Sequence, residues 1–173
     1  MTVRIPLDPK KFSDVLGAML GLNKAIVSPG LDKKLLYLVE LRVSQMNGCG
    51  FCIDMHTKDA RLDGETEQRL YLLNAWREAP MYSDRERAAL AWAEAVTTLK
   101  DGQVSDAVYQ RAREHFDEHE LMKLTLQVVA INGWNRFCIS FNATPGTYLP
   151  GSLRKTGVAQ ATAAHSPQLT DRI

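Results

Sequence analysis

Apolar residues recur at the spacing of an α-helix along most of this chain, and no segment alternates apolar and polar residues as a half-buried strand does. The segment ELMKLTLQVVAINGWNRFCISF is apolar on nearly every side, which predicts a helix at the centre of the molecule. The pattern therefore predicts an all-α fold, a compact helical bundle of about six to seven helices.

Glycines, prolines and capping residues divide this pattern into separate helices. We expect Asp32 to be the N-cap of the second helix and Gly48 to end it. The third helix should end near Leu62, with Gly64 as its C-cap. Ser83 and the glutamate three residues after it have the spacing of a capping box. The other predicted helices cover residues 9–22, 65–78, 83–100, 105–117 and 118–141.

The length of the chain fits one compact domain, for which we predict residues 1–144. From residue 145 onward Pro, Gly, Thr, Ser and Ala dominate, and Pro145 and Pro150 are each followed by glycine, which is typical of turns. Residues 145–173 are therefore predicted to form a non-helical tail. The surface of a neighbouring subunit is one place where such a tail could dock.

The charges of the chain are balanced, with 21 Lys and Arg against 20 Asp and Glu and a formal net charge of +1. This balance argues against nucleic acid or a membrane as partner and favours small molecules and copies of the chain itself. The first residues lack the apolar core of a signal peptide, and no run reaches the roughly 20 apolar residues that span a bilayer. We therefore predict a cytoplasmic protein, in which a close cysteine pair indicates catalysis or metal binding.

The motif GCGFCIDMH places two cysteines three residues apart and a histidine four residues after the second one. A redox cysteine reacts as a thiolate, so its pKa must be lowered. Cys49 and Cys52 follow the predicted break at Gly48, where the first amides and the dipole of a helix stabilise an anion. His56 lies one turn beyond Cys52 on the same face and could take its proton, whereas Asp54 points to a different side. An oxidised Cys52 could then condense with Cys49 to a disulfide.

Two other interpretations fit the same motif. The two thiols and His56 are three of the four ligands of a structural zinc site, with Cys138, His115 or His119 as candidates for the fourth. Alternatively, both thiols are buried structural residues beside a core histidine. Because the pair stands at a helix start and lacks an obvious fourth ligand, we favour redox chemistry that needs neither a metal nor a cofactor.

Glu40 is an acid in the mostly apolar second helix and therefore needs a partner or a shifted pKa. It belongs to a polar stripe at helical spacing that leads towards the cysteines and could relay protons. The stripe consists of Tyr37, Glu40, Ser44 and Asn47. The alternative is an ion pair with Arg42 or with an arginine of another helix. Glu94, within LAWAEAV, has the same two interpretations.

The segment LRVSQMNGCGFCIDMHTKDAR resembles the signature of alkylhydroperoxidase D-like proteins within the carboxymuconolactone decarboxylase family. The downstream segments REAPMYSDRERAALAWAEAV and VVAINGWNRF are similar to the same group, so the resemblance covers roughly residues 31–141. It implies an alkylhydroperoxidase D-like helical fold that assembles into trimers or hexamers. It also implies an antioxidant oxidoreductase that reduces a peroxide or a disulfide with electrons from an external thiol.

On the pattern of this family, Cys52 is the thiol that attacks the peroxide, Cys49 is the resolving thiol and His56 is the base. The relay glutamate of the family usually stands twelve residues before the first cysteine, a position that Tyr37 occupies here. Glu40 stands nine residues before that cysteine. Because three residues make almost one helical turn, Glu40 lies on nearly the same face and is the candidate replacement.

The best-studied peroxidases of the group also carry a histidine between the two cysteines, where this chain has Phe51. The decarboxylase branch of the family acts on a lactone without a redox cysteine pair, which makes a cofactor-free lyase the alternative enzyme. A zinc-bearing or purely structural helical module is the alternative without catalysis. The intact Cys-x-x-Cys pair favours the oxidoreductase over the lyase.

Overall fold

The computed structural model describes residues 2–27 and 31–152. Within these ranges the chain forms seven α-helices and no strand, which confirms the predicted all-α fold. The helices are α1 Ser13–Val27, α2 Lys33–Asn47, α3 Gly50–Leu62, α4 Glu67–Leu72, α5 Asp84–Thr98, α6 Asp106–Arg113 and α7 Glu118–Ser140. Short 3-10 turns at Leu73–Ala75 and Lys100–Gly102 complete the regular structure of the described residues.

Several helix ends lie where the capping signals predict them. Asp32 caps α2 by accepting a hydrogen bond from the Lys34 amide at 3.2 Å, and Ser83 with Glu86 forms the expected capping box at the start of α5. Gly64 lies in the left-handed region and closes a Schellman-type turn after α3, in which the amide of Glu65 donates to the carbonyl of Ala60. Local chemistry therefore determines these boundaries.

Two predicted ranges are wrong. The first helix is Ser13–Val27 rather than residues 9–22, because residues 9–12 form turns before it and Pro9 lines the cavity described below. The predicted helix 65–78 is a short α4 followed by a 3-10 turn. Arg87 of α5 donates hydrogen bonds to the carbonyls of Trp76, Arg77 and Ala79, so this segment is held by a tertiary contact in place of helical hydrogen bonds.

Helices α2 and α7 form the centre of the bundle. The α2 helix packs against α3, α5 and α7, and α7 also packs against α1 and α5. Val39 and Val43 of α2 and Leu124 and Val128 of α7 are completely buried. The predicted central position of α7 is thus correct for one side of the helix, whereas Met122 on its other side is 71% exposed.

The described part of the predicted tail folds back onto its own chain. Residues 145–151 form turns and no α-helix. Asp59 of α3 accepts hydrogen bonds from the Tyr148 hydroxyl and the Gly151 amide, both at 2.8 Å, and Asp54 accepts one from the Gly146 amide at 3.0 Å. The remainder of the tail, residues 153–173, lies outside the described residues, so its docking on another subunit stays a prediction. None of the helices in the described ranges has the length and apolarity that a membrane span requires.

Glu94 of α5 is a structural ion-pair partner. Its carboxylate accepts hydrogen bonds from Arg42 of α2 at 2.6 Å, from Arg77 at 2.6 Å and from the Trp76 indole at 2.9 Å. Burial acts to raise the pKa of Glu94, but these three hydrogen bonds outweigh it and lower the pKa below its usual value. Of the two interpretations of Glu94, the structure supports the ion pair.

We predict that Glu94→Gln lowers the free energy of unfolding by about 2 kcal/mol at neutral pH, because two guanidinium groups lose a half-buried charge. The lowered folded-state pKa means that this contribution is present above the unfolded pKa and is lost as the pH falls through the folded pKa. Urea unfolding should therefore show a smaller difference between the variant and the wild type in acid than at neutral pH.

The control for this experiment is Glu114→Gln, which removes an exposed pair with Arg111 and should change the free energy of unfolding by at most about 0.5 kcal/mol. A cost of Glu94→Gln that stays constant as the pH falls would contradict the assigned ion pair.

Candidate active site

The site begins at the sharp turn between α2 and α3. Gly48 adopts φ +70°, and its amide and that of Cys49 donate to the carbonyls of Gln45 and Ser44, which ends α2. Glycine reaches this left-handed conformation without the steric cost that other residues meet. The turn places Cys49 as the N-cap of α3, where its sulfur accepts a hydrogen bond from the Cys52 amide at 3.3 Å.

Cys49 and Cys52 form a disulfide, with their Cα atoms 5.3 Å apart. Both cysteines are 1% exposed, so the bond lies beneath the protein surface. When the pair is reduced, the free amides and the positive end of the α3 dipole favour a thiolate at this position. The structure therefore confirms the predicted placement of the cysteine pair at the start of a helix.

A cavity of about 470 Å³ opens beside the disulfide and is lined mostly by apolar side chains. Its wall includes Cys52, Phe51 and His56 of α3 and Glu40 of α2. Apolar side chains from residues 3–9 cover it from the N-terminal side. Among the described residues that line it, Cys52 is present and Cys49 is not.

His56 and Glu40 form a pair on the cavity wall. The Nδ1 atom of His56 lies 3.1 Å from a carboxylate oxygen of Glu40, and the other oxygen accepts a hydrogen bond from Gln127 of α7 at 2.8 Å. A carboxylate accepts, so Nδ1 carries the proton and Nε2 of a neutral ring is free to act as a base. That Nε2 atom is buried and has no hydrogen-bond partner among the described residues.

The contacts of Glu40 can be compared with its two predicted roles, an ion pair with an arginine and a proton relay. The expected ion pair between Glu40 and Arg42 is wrong, because Arg42 bonds Glu94. The proton relay along the polar stripe stays a prediction, and the other members of the stripe have partners of their own. The Tyr37 hydroxyl donates to Asp63 at 2.6 Å, whereas Ser44 and Asn47 bond to Asn135 and Asn132 of α7. Glu40 contacts His56 and Gln127.

Cys138 of α7 is the third cysteine of the site. Its sulfur and those of Cys49 and Cys52 all lie within 4.8 Å of one another. Cys138 is a free thiol that lines the same cavity, and burial raises its pKa to about 11. Of the three candidates for a fourth zinc ligand, the structure thus brings Cys138 to the pair, while the cluster found in the described residues contains no histidine such as His115 or His119.

Three features of the site were absent from the sequence-based prediction. Gln127 was not recognised as the partner of Glu40, although a polar amide inside the apolar run of α7 is a usable signal. Cys138 was predicted only as one of three candidates for a fourth zinc ligand, with no redox role. Leu7, which packs against the three cysteines together with Phe51, belongs to a segment with no sequence signal for a role in the site.

Comparison of this geometry with known proteins defines its class. The protein of unknown function ATU0492 from Agrobacterium tumefaciens, named as a candidate antioxidant defence protein AhpD, superposes with a TM-score of 0.79 and 37% identity. The match covers 85% of this chain and 100% of that one. The fold is that of an AhpD-like helical protein.

Sequence relatives identify the family. A sequence model described as the carboxymuconolactone decarboxylase family matches residues 13–95. The uncharacterized protein YdfG of Bacillus subtilis is 47% identical over 122 residues, which are 70% of this chain and 83% of that one. The alkyl hydroperoxide reductase AhpD of Rhizorhabdus wittichii is 51% identical over 47 residues, 27% of each chain. The chain therefore belongs to the carboxymuconolactone decarboxylase family, in its AhpD-like group.

Proposed function

We propose that this protein is a thiol-dependent oxidoreductase that reduces a peroxide or a disulfide through the Cys49 and Cys52 pair. One observation carries the proposal: the wall of the cavity combines Cys52 with the pair formed by His56 and Glu40. The family consists of enzymes, and its AhpD members are named for peroxide reduction. A role in antioxidant defence follows from this chemistry.

The proposed reaction uses each cysteine once. The thiolate of Cys52 attacks one oxygen of a hydroperoxide, the O–O bond breaks, and the departing alkoxide takes up a proton to leave as an alcohol. Cys52 is then a sulfenic acid. The thiol of Cys49 displaces its hydroxyl as water and forms the disulfide. Two thiols of an external donor reduce that disulfide by exchange and leave as a donor disulfide.

His56 and Glu40 supply the proton chemistry of this reaction. The free Nε2 of His56 takes the proton of Cys52, and Glu40 holds the ring in the tautomer that leaves Nε2 unprotonated. Gln127 keeps the carboxylate in place from α7. Glu40, nine residues before Cys49, therefore performs the role of the family's relay acid in this chain.

The substrate we propose is an organic hydroperoxide with an apolar body. The cavity walls are mainly aliphatic and aromatic, and Phe51 stands where related peroxidases carry a histidine. Such a surface favours an alkyl or aryl group over water-like hydrogen peroxide. We further propose a cytoplasmic location, where thiol donors that reduce the disulfide are available.

We predict that Cys52→Ser abolishes thiol-dependent consumption of cumene hydroperoxide. Glu40→Gln should lower kcat/KM by about 100-fold, because the amide no longer orients and stabilises the histidine as a base. The assay is steady-state peroxide consumption with a dithiol donor, followed across the pH range.

The matched control is Asp54→Asn, which alters a carboxylate of the same helix that bonds Lys58 and the Gly146 amide. It should retain the turnover of the wild type. Full turnover in Glu40→Gln would remove this residue from the mechanism. If lactone decarboxylation persists after loss of both cysteines and peroxide consumption is absent, the cofactor-free lyase chemistry of the family is the correct alternative.

We also propose that the chain assembles into a trimer or hexamer. Met122 and Val129 are exposed apolar residues seven positions apart on the outer side of α7, and Ile139 near its end is 45% exposed. An assembly would cover such residues. Light scattering should give three or six times the chain mass of 19.4 kDa, and Met122→Glu should lower it. A monomer at micromolar concentration would contradict this proposal.

A further inference from the structure

The reaction proposed above uses two thiols, but the site contains three. Cys138 enters from α7, the helix opposite the cysteine motif, and is 6% exposed. Its sulfur lies within 4.8 Å of both sulfurs of the disulfide, and it shares the cavity wall with Cys52. Phe51, Leu7 and Ala143 pack around the three cysteines as one cluster.

The gap between the sulfur atoms is small enough to close. Rotation of a cysteine about its Cα–Cβ bond moves the sulfur by about 3 Å, and a disulfide brings two sulfurs to about 2 Å. Rotations of Cys52 and Cys138 towards each other therefore cover a separation of at most 4.8 Å without unfolding either helix. Both residues line the same cavity.

We propose that Cys138 is a third redox-active thiol, which resolves oxidised Cys52 whenever Cys49 is unavailable. This inference rests on the proposed function, because it requires oxidation of Cys52 to a sulfenic acid. In the proposed step the sulfur of Cys138 attacks the sulfur of that sulfenic acid. The S–O bond breaks, the hydroxyl leaves as water with the thiol proton, and a disulfide joins α3 to α7. Two external thiols reduce it as they reduce the first disulfide.

The surroundings of Cys49 and Cys138 determine which of the two thiols reacts first with oxidised Cys52. Cys49 caps α3 and accepts the amide of Cys52, so its thiolate is favoured. Cys138 lies in apolar surroundings that raise its pKa, which keeps its thiolate fraction low at neutral pH. Cys49 therefore reacts first, and Cys138 acts when Cys49 is held in a mixed disulfide with the donor. This second route keeps Cys52 from irreversible oxidation to a sulfinic acid.

The test uses Cys49→Ser, which removes the first resolving thiol. Serine is a favourable N-cap, so α3 keeps its start, and circular dichroism checks the fold. The reduced variant receives one equivalent of cumene hydroperoxide and is then blocked with an alkylating reagent. Trypsin releases residues 43–58, with Cys52 as their one remaining cysteine, and residues 137–154, which contain Cys138. We expect these peptides joined by a disulfide, with loss of both free thiols.

The control is the double variant Cys49→Ser with Cys138→Ala, in which no resolving thiol remains. Its Cys52 should persist as a sulfenic acid and react with dimedone, whereas the single variant should lose most of this labelling. Equal dimedone labelling in both variants, with no joined peptides, would overturn the role of Cys138 and leave peroxide reduction by Cys52 intact.

A second oxidant separates this inference from the proposed function. Diamide converts neighbouring thiols to a disulfide without a sulfenic acid. If peroxide leaves Cys52 reduced in every variant, the proposed function fails, and joined peptides after diamide alone would then support only the contact between Cys52 and Cys138. Absence of joined peptides after both oxidants in a folded variant would overturn the third thiol.

Discussion

The left-handed turn at Gly48 is the constraint on which the site depends. It ends α2 and starts α3 within two residues, so that the sulfur of Cys49 lies at the N-terminus of α3. The same turn sets the angle at which α2 presents Glu40 to His56 on α3. A longer connection would separate the acid from the base and the thiols from the helix dipole. One backbone conformation therefore links thiolate stabilisation to proton transfer.

The burial of Cys52 means that its proposed thiolate needs stabilising groups nearby. Cys52 is almost completely buried beside an apolar cavity, and such surroundings disfavour a thiolate unless specific groups stabilise it. In the proposed reaction the amides of α3 and His56 provide that stabilisation, and Glu40 with Gln127 holds the ring of His56. The residues from 3 to 9 cover this arrangement and keep it largely apolar. Apolar surroundings of this kind strengthen each electrostatic contact within the site.

Local sequence signals predicted much of this structure. The helical periodicity, the cap at Asp32, the stop at Gly48 and the helical spacing from Cys52 to His56 all depend on residues close in sequence. Helical spacing also predicted Glu40 as the candidate replacement for the family's relay acid, and the structure brings its carboxylate to His56.

Contacts between distant segments account for what the sequence did not reveal. Gln127 and Cys138 reach the site because α7 packs on α2 and α3. The helical periodicity of a sequence does not determine which residues of two packed helices face each other. The helix predicted over residues 65–78 stops after α4 because Arg87 donates a hydrogen bond to the carbonyl of Arg77, ten residues earlier in the sequence. No local signal marks residues 3–9 as the cover of the cavity.

The most direct test of the account is the fate of the thiols of the reduced wild-type protein after one equivalent of cumene hydroperoxide. Free thiols should be counted, and residues 43–58 should be released with trypsin and weighed by mass spectrometry. The account predicts that two of the three cysteines per chain lose their thiols and that Cys49 and Cys52 form a disulfide within this one peptide. Three thiols that remain free in the folded protein would contradict it.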